Sequence, residues 1–299
     1  MKVIYQTDLE KAAFFLQKLI SKKFKDADTW ILNYKLKFKS STAHKDLYMA
    51  FGLAGRAAGK ELLMPDEQEM RMAGELRKGF SINGWTTDRA LRVLLLLIFP
   101  HTDFEYYKNS INTLFSSADL NELVALYSAL PLLPNPEEFT DRAAEGVRSN
   151  IGDVFDAVVF NNPYPADYLD EGAWNQMVLK TLFVGKRLDK IIGLDKRANP
   201  RLSRMLSDLA HERWAASREV SPELWRAVGP YIDKEIIKDL ERVFKDSDPV
   251  QQKAAALACS ACSLPKAKEL LNERKDLLRA IENNELNWEN LMKPGSVLS

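Results

Sequence analysis

The chain is poor in cysteine, in histidine and in net charge. Its 299 residues include two cysteines, Cys259 and Cys262, which share one C-x-x-C inside an alanine-rich stretch. Two thiols cannot build the disulfide framework of a small secreted domain, and a redox C-x-x-C belongs beside a βαβ pattern that is not evident. Both therefore read as small, reduced helix residues, and a cytoplasmic location follows. The three histidines, His44, His101 and His211, stand far apart, without H-x-x-x-H, H-E-x-x-H or a Cys/His cluster. That excludes the usual zinc spacings, and no metal or cofactor is expected. With 42 basic residues against 42 acidic, no net field steers a polyanion, so bulk nucleic-acid binding is disfavoured.

Long apolar runs are also missing. The longest, VLLLLIFP from Val93 to Pro100, falls far short of the ~20 residues a helix needs to cross a bilayer and reads as a buried helix. Asp8, Glu10 and Lys11 interrupt the first apolar residues, so no secretory signal is expected. There is no G-x-S-x-G elbow, no G-x-x-x-x-G-K-[ST] and no aspartate-rich D-D-x-x-D run. The glycine cluster GLAGRAAG, Gly52 to Gly59, lacks a preceding strand and reads as close helix packing.

What is present is helix after helix. Asp8 to Phe24 opens on a capping residue, carries an apolar stripe and ends in lysines that complement the helix dipole. Comparable patterns cover roughly Thr29–Phe38, Thr87–Phe99, Pro136–Phe160, Glu171–Val184, Asn199–Ser217, Pro222–Val228, Asp248–Cys262 and Leu264–Ile281. No alternating β-branched run with hairpin turns appears. The breaks, such as PLLPNP, NNPYP and ANP, are short, which makes consecutive helices antiparallel neighbours. SDPVQQKAAALACSACSLPKAKELL, Ser247 to Leu271, is similar to a HEAT-type hairpin: a cap, Pro249 in the first turn, alanines for close approach, then a proline-launched second helix. The expected fold is all-α, a multi-helix right-handed α-solenoid or HEAT-like repeat array, with a plain multi-helix globule as the alternative.

Several polar residues interrupt apolar stripes. A wheel at about 100° per residue puts Leu202, Met205, Leu206 and Leu209 on one face, with Arg213 at its centre one turn later. A buried arginine needs a partner, because an uncompensated buried charge costs several kcal/mol. His211 projects to the opposite side, and Glu212 and Trp214 take the two flanks. Trp174 shares a face with Met177, Val178, Thr181 and Leu182, and Asn175 falls between Leu182 and Leu179; a buried amide there ties backbone or faces a polar cavity. Asn150 lies beside a stripe that includes Val147, Ile151 and Val154. NNPYP makes a rigid elbow presenting Asn161, Asn162 and Tyr164. Asp195, Arg197 and Asn199 crowd one connection, where Asp195 and Arg197 suit a local ion pair.

The segment from Asn162 to Pro230, NPYPADYLDEGAWNQMVLKTLFVGKRLDKIIGLDKRANPRLSRMLSDLAHERWAASREVSPELWRAVGP, closely resembles the signature region of EboA-domain proteins. The alanine-rich tail fits as well, whereas the part before about Asn135 resembles the family only in helical character and length. The resemblance implies a division into an N-terminal helical region, 1–134, and a signature region with HEAT-like hairpins, 135–299, continuous as one helical domain. It implies a bacterial ebo-type gene cluster holding a UbiA-type membrane prenyltransferase, a TatD-like hydrolase and TIM-barrel-like isomerases. That cluster is tied to making or moving secondary metabolites toward the envelope, including pigment precursors. It implies no catalytic residue. Two functions follow as expectations. The favoured one is a non-catalytic adaptor or binding protein for a cluster protein or small-molecule precursor, with no membrane span but peripheral contact with the prenyltransferase. Its recognition patch would be drawn from Asn150, Asn161, Asn162, Tyr164, Trp174, Asn175, Asp195, Arg197, Asn199, Arg213 and Trp214. The alternative is an enzyme of the same pathway, with His211 or Glu212 as general base and Arg213 or Arg197 holding an anion.

Overall fold

The computed structural model describes residues 6–40 and 43–291, and the protein is helical throughout them, without a strand; Leu62 and Thr86 form one isolated antiparallel bridge. No helix among the described residues is long and apolar enough to cross a membrane. The chain divides into two compact units, Met1–Asp170 and Glu171–Ser299. The division expected after position 134 falls inside the first of these.

The first unit holds α1 (Leu9–Ser21), α2 (Ala27–Lys37), α3 (Ala43–Ala58), α4 (Glu67–Leu76), α5 (Thr87–Ile98), α6 (Phe104–Ser117), α7 (Leu120–Ala129), α8 (Thr140–Arg148), α9 (Gly152–Val159) and α10 (Tyr164–Tyr168). Its axis is α5, buried from Ala90 through Leu97 and packed on α1, α3 and α7. Being covered on every side, α5 reads in sequence as a continuous apolar run rather than a stripe. Two charges are buried within it, Asp88 and Arg92, and they pair with each other. Arg92 Nη1 donates to Asp88 Oδ2 at 2.5 Å, and Arg92 Nε donates to the Phe51 carbonyl at 3.1 Å.

The helix expected over Pro136–Phe160 is broken. A 3₁₀ turn, Pro136–Phe139, precedes α8, and Ser149 to Ile151 separate α8 from α9. Ser149 Oγ accepts from the Ile151 N–H at 3.1 Å, a local bond that competes with the helical one. Asn150 is therefore exposed in a break, and Ile151, expected on the buried stripe, is 47 % exposed.

The second unit holds α11 (Glu171–Phe183), α12 (Leu194–Arg197), α13 (Pro200–Ala215), α14 (Leu224–Val228), α15 (Ile236–Val243), α16 (Pro249–Ser260), α17 (Pro265–Glu273) and α18 (Lys275–Glu282). Here α16 is central, touching α14, α15, α17 and α18. Asp248 caps it, accepting from the Val250 N–H at 2.8 Å, and Pro249 occupies its first turn. Its alanines admit close neighbours: a Cβ built on Gly229 would lie 2.9 Å from the Ala258 carbonyl oxygen. Both cysteines are free and buried. The helix expected over Leu264–Ile281 is two, because Arg274 leaves the helical region and is anchored by its guanidinium, through Nη1 to Gln252 Oε1 (2.7 Å) and Nη2 to Asp276 Oδ2 (3.0 Å).

Candidate functional site

The site is built on the C-terminal end of α13. Asn199 starts that helix, its side chain accepting from the Leu202 N–H at 2.8 Å, with Pro200 in the first turn. The helix stops where Ser217 takes a left-handed conformation, φ 53°, and the Arg218 N–H turns back to the Arg213 carbonyl at 2.8 Å. The reversal carries the Glu219 carbonyl to Arg213, whose Nε–H donates to it. The carboxylate partner that a buried arginine would demand is thus replaced by a backbone carbonyl, because Arg213 is only half-buried at a helix end.

Beside it, Trp214 is clamped. Arg242 from α15 lies 4.2 Å over its ring, and Trp225 from α14 stacks on it at 6.0 Å between centroids. Trp214 and Arg242 border a cavity of about 1110 Å³, spacious enough for a drug-sized or larger ligand. Arg213, Trp214, Arg218 and Arg242 line its wall, together with apolar side chains including Leu182, Leu209 and Val250. Six basic and four acidic residues contribute, so the wall is positive on balance. Much of the acidic charge is engaged elsewhere. Asp248 caps α16, Asp246 accepts from the Asp248 N–H at 2.9 Å, and buried Glu223 accepts from the Leu188 N–H at 2.8 Å. Burial pushes the Glu223 carboxyl up from its ordinary value.

A family model described as "Metabolite traffic protein EboA" matches residues 12–229, which includes α13, its terminal turn and both tryptophans of the clamp. The chain belongs to the EboA family. No curated protein and no solved structure matches it.

Within this EboA chain the residues singled out in sequence fall into distinct settings. Arg213 and Trp214 are on the cavity wall. Asn175 and Asn199 face each other instead, Asn199 Nδ2 donating to Asn175 Oδ1 at 2.9 Å and Asn175 Nδ2 to Asn199 Oδ1 at 3.2 Å. This amide pair ties α11 to the start of α13. Trp174 is buried beneath the Arg197 guanidinium, 4.7 Å from its ring. Asp195 receives both nitrogens of Arg226, at 2.7 and 2.6 Å, in place of the local pair with Arg197. In the first unit the NNPYP elbow does not present its polar groups. Asn162 is buried, donating to the Tyr127 and Ala157 carbonyls, and buried Tyr164 donates to the Pro136 carbonyl; only Asn161, at φ 53°, is partly accessible. The two candidate bases are exposed, and neither lines the cavity. His211 Nε2 donates to Asp239 Oδ1 at 2.5 Å, and Asp239 also accepts from Ser207 Oγ at 2.7 Å.

Sequence reading missed Arg218, Arg242, Glu223 and Lys253. Lys253 carried a usable signal, a lone charge inside the alanine run of α16, and it is buried in the cavity wall. Arg242 did not, since an arginine late in an amphipathic helix reads as ordinary dipole complementation.

Proposed function

We propose that the chain is a non-catalytic binding protein that holds a small pathway metabolite, such as a prenylated or pigment precursor, in the cavity of its second unit. The supporting observation is the composition of that wall. Arginines and an indole held in place border a large cavity, while His211 and Glu212 are outside it and His211 is engaged by Asp239. Positioned recognition groups, with the one buried carboxylate of the wall, Glu223, engaged by the Leu188 N–H, suit retention rather than turnover. A family described by metabolite traffic is in keeping with that role. The α16–α17 hairpin, with its cap and proline-launched second helix, supports a HEAT-like pairing in which helices expose a binding face. The proposed setting is the cytoplasm, with other proteins of an ebo-type cluster, including the membrane prenyltransferase, as donors or acceptors of the cargo.

Native mass spectrometry of the full chain incubated with a cell extract tests this. The expected result is a non-covalent small-molecule adduct that survives His211→Ala and Glu212→Ala and is lost when Ser221→Trp fills the cavity. Conversion of an extract component that either single substitution abolishes would establish the enzyme instead.

A further inference from the structure

Taking the cavity as a binding site, we infer that its cargo is an oxyanion, a carboxylate or phosphate, carried on an apolar body, with the charged end held by Arg213, Arg218 and Arg242. None of these three guanidiniums forms an ion pair among the described residues. Every other guanidinium on the wall does: Arg187 Nη2 is 2.6 Å from Asp189 and its Nε 3.8 Å from Glu223. The Arg242 guanidinium carbon sits 4.2 Å from the centre of the Trp214 ring, a contact that holds the group in place and leaves its N–H donors for a planar or tetrahedral oxyanion. Arg213 spends its Nε–H on the Glu219 carbonyl, so its orientation is set while its two terminal nitrogens keep their donors. Arg218 is directed by the left-handed turn at Ser217 and its own backbone bond to Arg213. Three cations without ion-pair partners, on a wall that is positive on balance, repel one another and become favourable around an anion. Leu182, Leu209, Leu224 and Val250 on the same wall supply apolar surface that suits hydrocarbon or an aromatic ring.

Two fluorescent probes with the same aromatic body separate the terms: 8-anilinonaphthalene-1-sulfonate, an anion, and N-phenyl-1-naphthylamine, which is neutral. Each is titrated against the full chain, against Arg218→Gln and Arg242→Gln, and against Ser221→Trp, with folding of every variant checked by circular dichroism. Arg218 is exposed and ties the fold only through its backbone, so Arg218→Gln keeps the test intact if Arg242→Gln unsettles the Trp214 clamp. The expected result is that each glutamine weakens the sulfonate by about tenfold, leaves the neutral probe unchanged, and that Ser221→Trp removes both. If Ser221→Trp removes both probes but the glutamines weaken neither, or both equally, the anion inference fails and the cavity stands. If no probe binds, or Ser221→Trp leaves binding intact, the cavity itself fails as the site and the inference fails with it.

Discussion

Replacing Asn175 by alanine separates architecture from recognition in the second unit. The side chain is 1 % exposed and makes a reciprocal pair with Asn199, two bonds of 2.9 and 3.2 Å. A neutral hydrogen bond contributes about 1 kcal/mol net, so losing both costs about 2 kcal/mol. Asn199 keeps its bond to the Arg197 carbonyl and its cap on Leu202, which limits the damage. Asn199→Ala loses the same pair together with the cap of α13 and the bond to the Arg197 carbonyl, a further ~2 kcal/mol, for about 4 kcal/mol in all. Since the pair can be lost only once, the double variant should also cost about 4 kcal/mol, leaving a coupling of about 2 kcal/mol. Urea unfolding followed by far-UV circular dichroism measures all four proteins. Additive single effects, or Asn175→Ala within about 0.5 kcal/mol of the parent, would refute the reasoning. Asn175 is not on the cavity wall, so affinity for the sulfonate probe should stay at the parent value.

Gly229→Ala forces a methyl against the Ala258 backbone, 2.9 Å from its oxygen and 3.0 Å from its Cα, and should destabilise by about 1–3 kcal/mol; a silent effect in thermal melts would mean that α16 can move away. Burial raises the Cys259 thiol to about 12, so iodoacetamide in mildly alkaline buffer should leave it unmodified in the native protein and alkylate it after guanidinium unfolding. Rapid native labelling by peptide mass mapping would contradict this. The raised Glu223 carboxyl binds its proton more tightly folded than unfolded, so its contribution is greatest below its ordinary value of 4.5 and is lost as pH rises through the folded value. Glu223→Gln, which keeps an acceptor for the Leu188 N–H, should therefore gain stability relative to the parent from acid toward neutrality. A constant difference in melting temperature across that range would count against it.

The sequence alone determined the helical class, because periodicity, caps and proline stops act within a few residues of one another. Asp8, Asp66, Asp119 and Asp248 each cap the helix that follows, and the α16–α17 hairpin was legible down to its turn. It also showed that Arg213 interrupts an apolar face, with Trp214 on the flank of that face. Whether an interruption is a site or a tie depends on what another segment places opposite it, and that only the tertiary structure decided. Asn175 and Asn162 are as conspicuous in sequence as Arg213, yet one meets Asn199 and the other two backbone carbonyls, so both are satisfied internally. Arg242 is inconspicuous and becomes part of the wall because α15 delivers it onto Trp214. Local bonding makes helices, whereas a binding surface is made of polar groups left over once the long-range partners have been assigned.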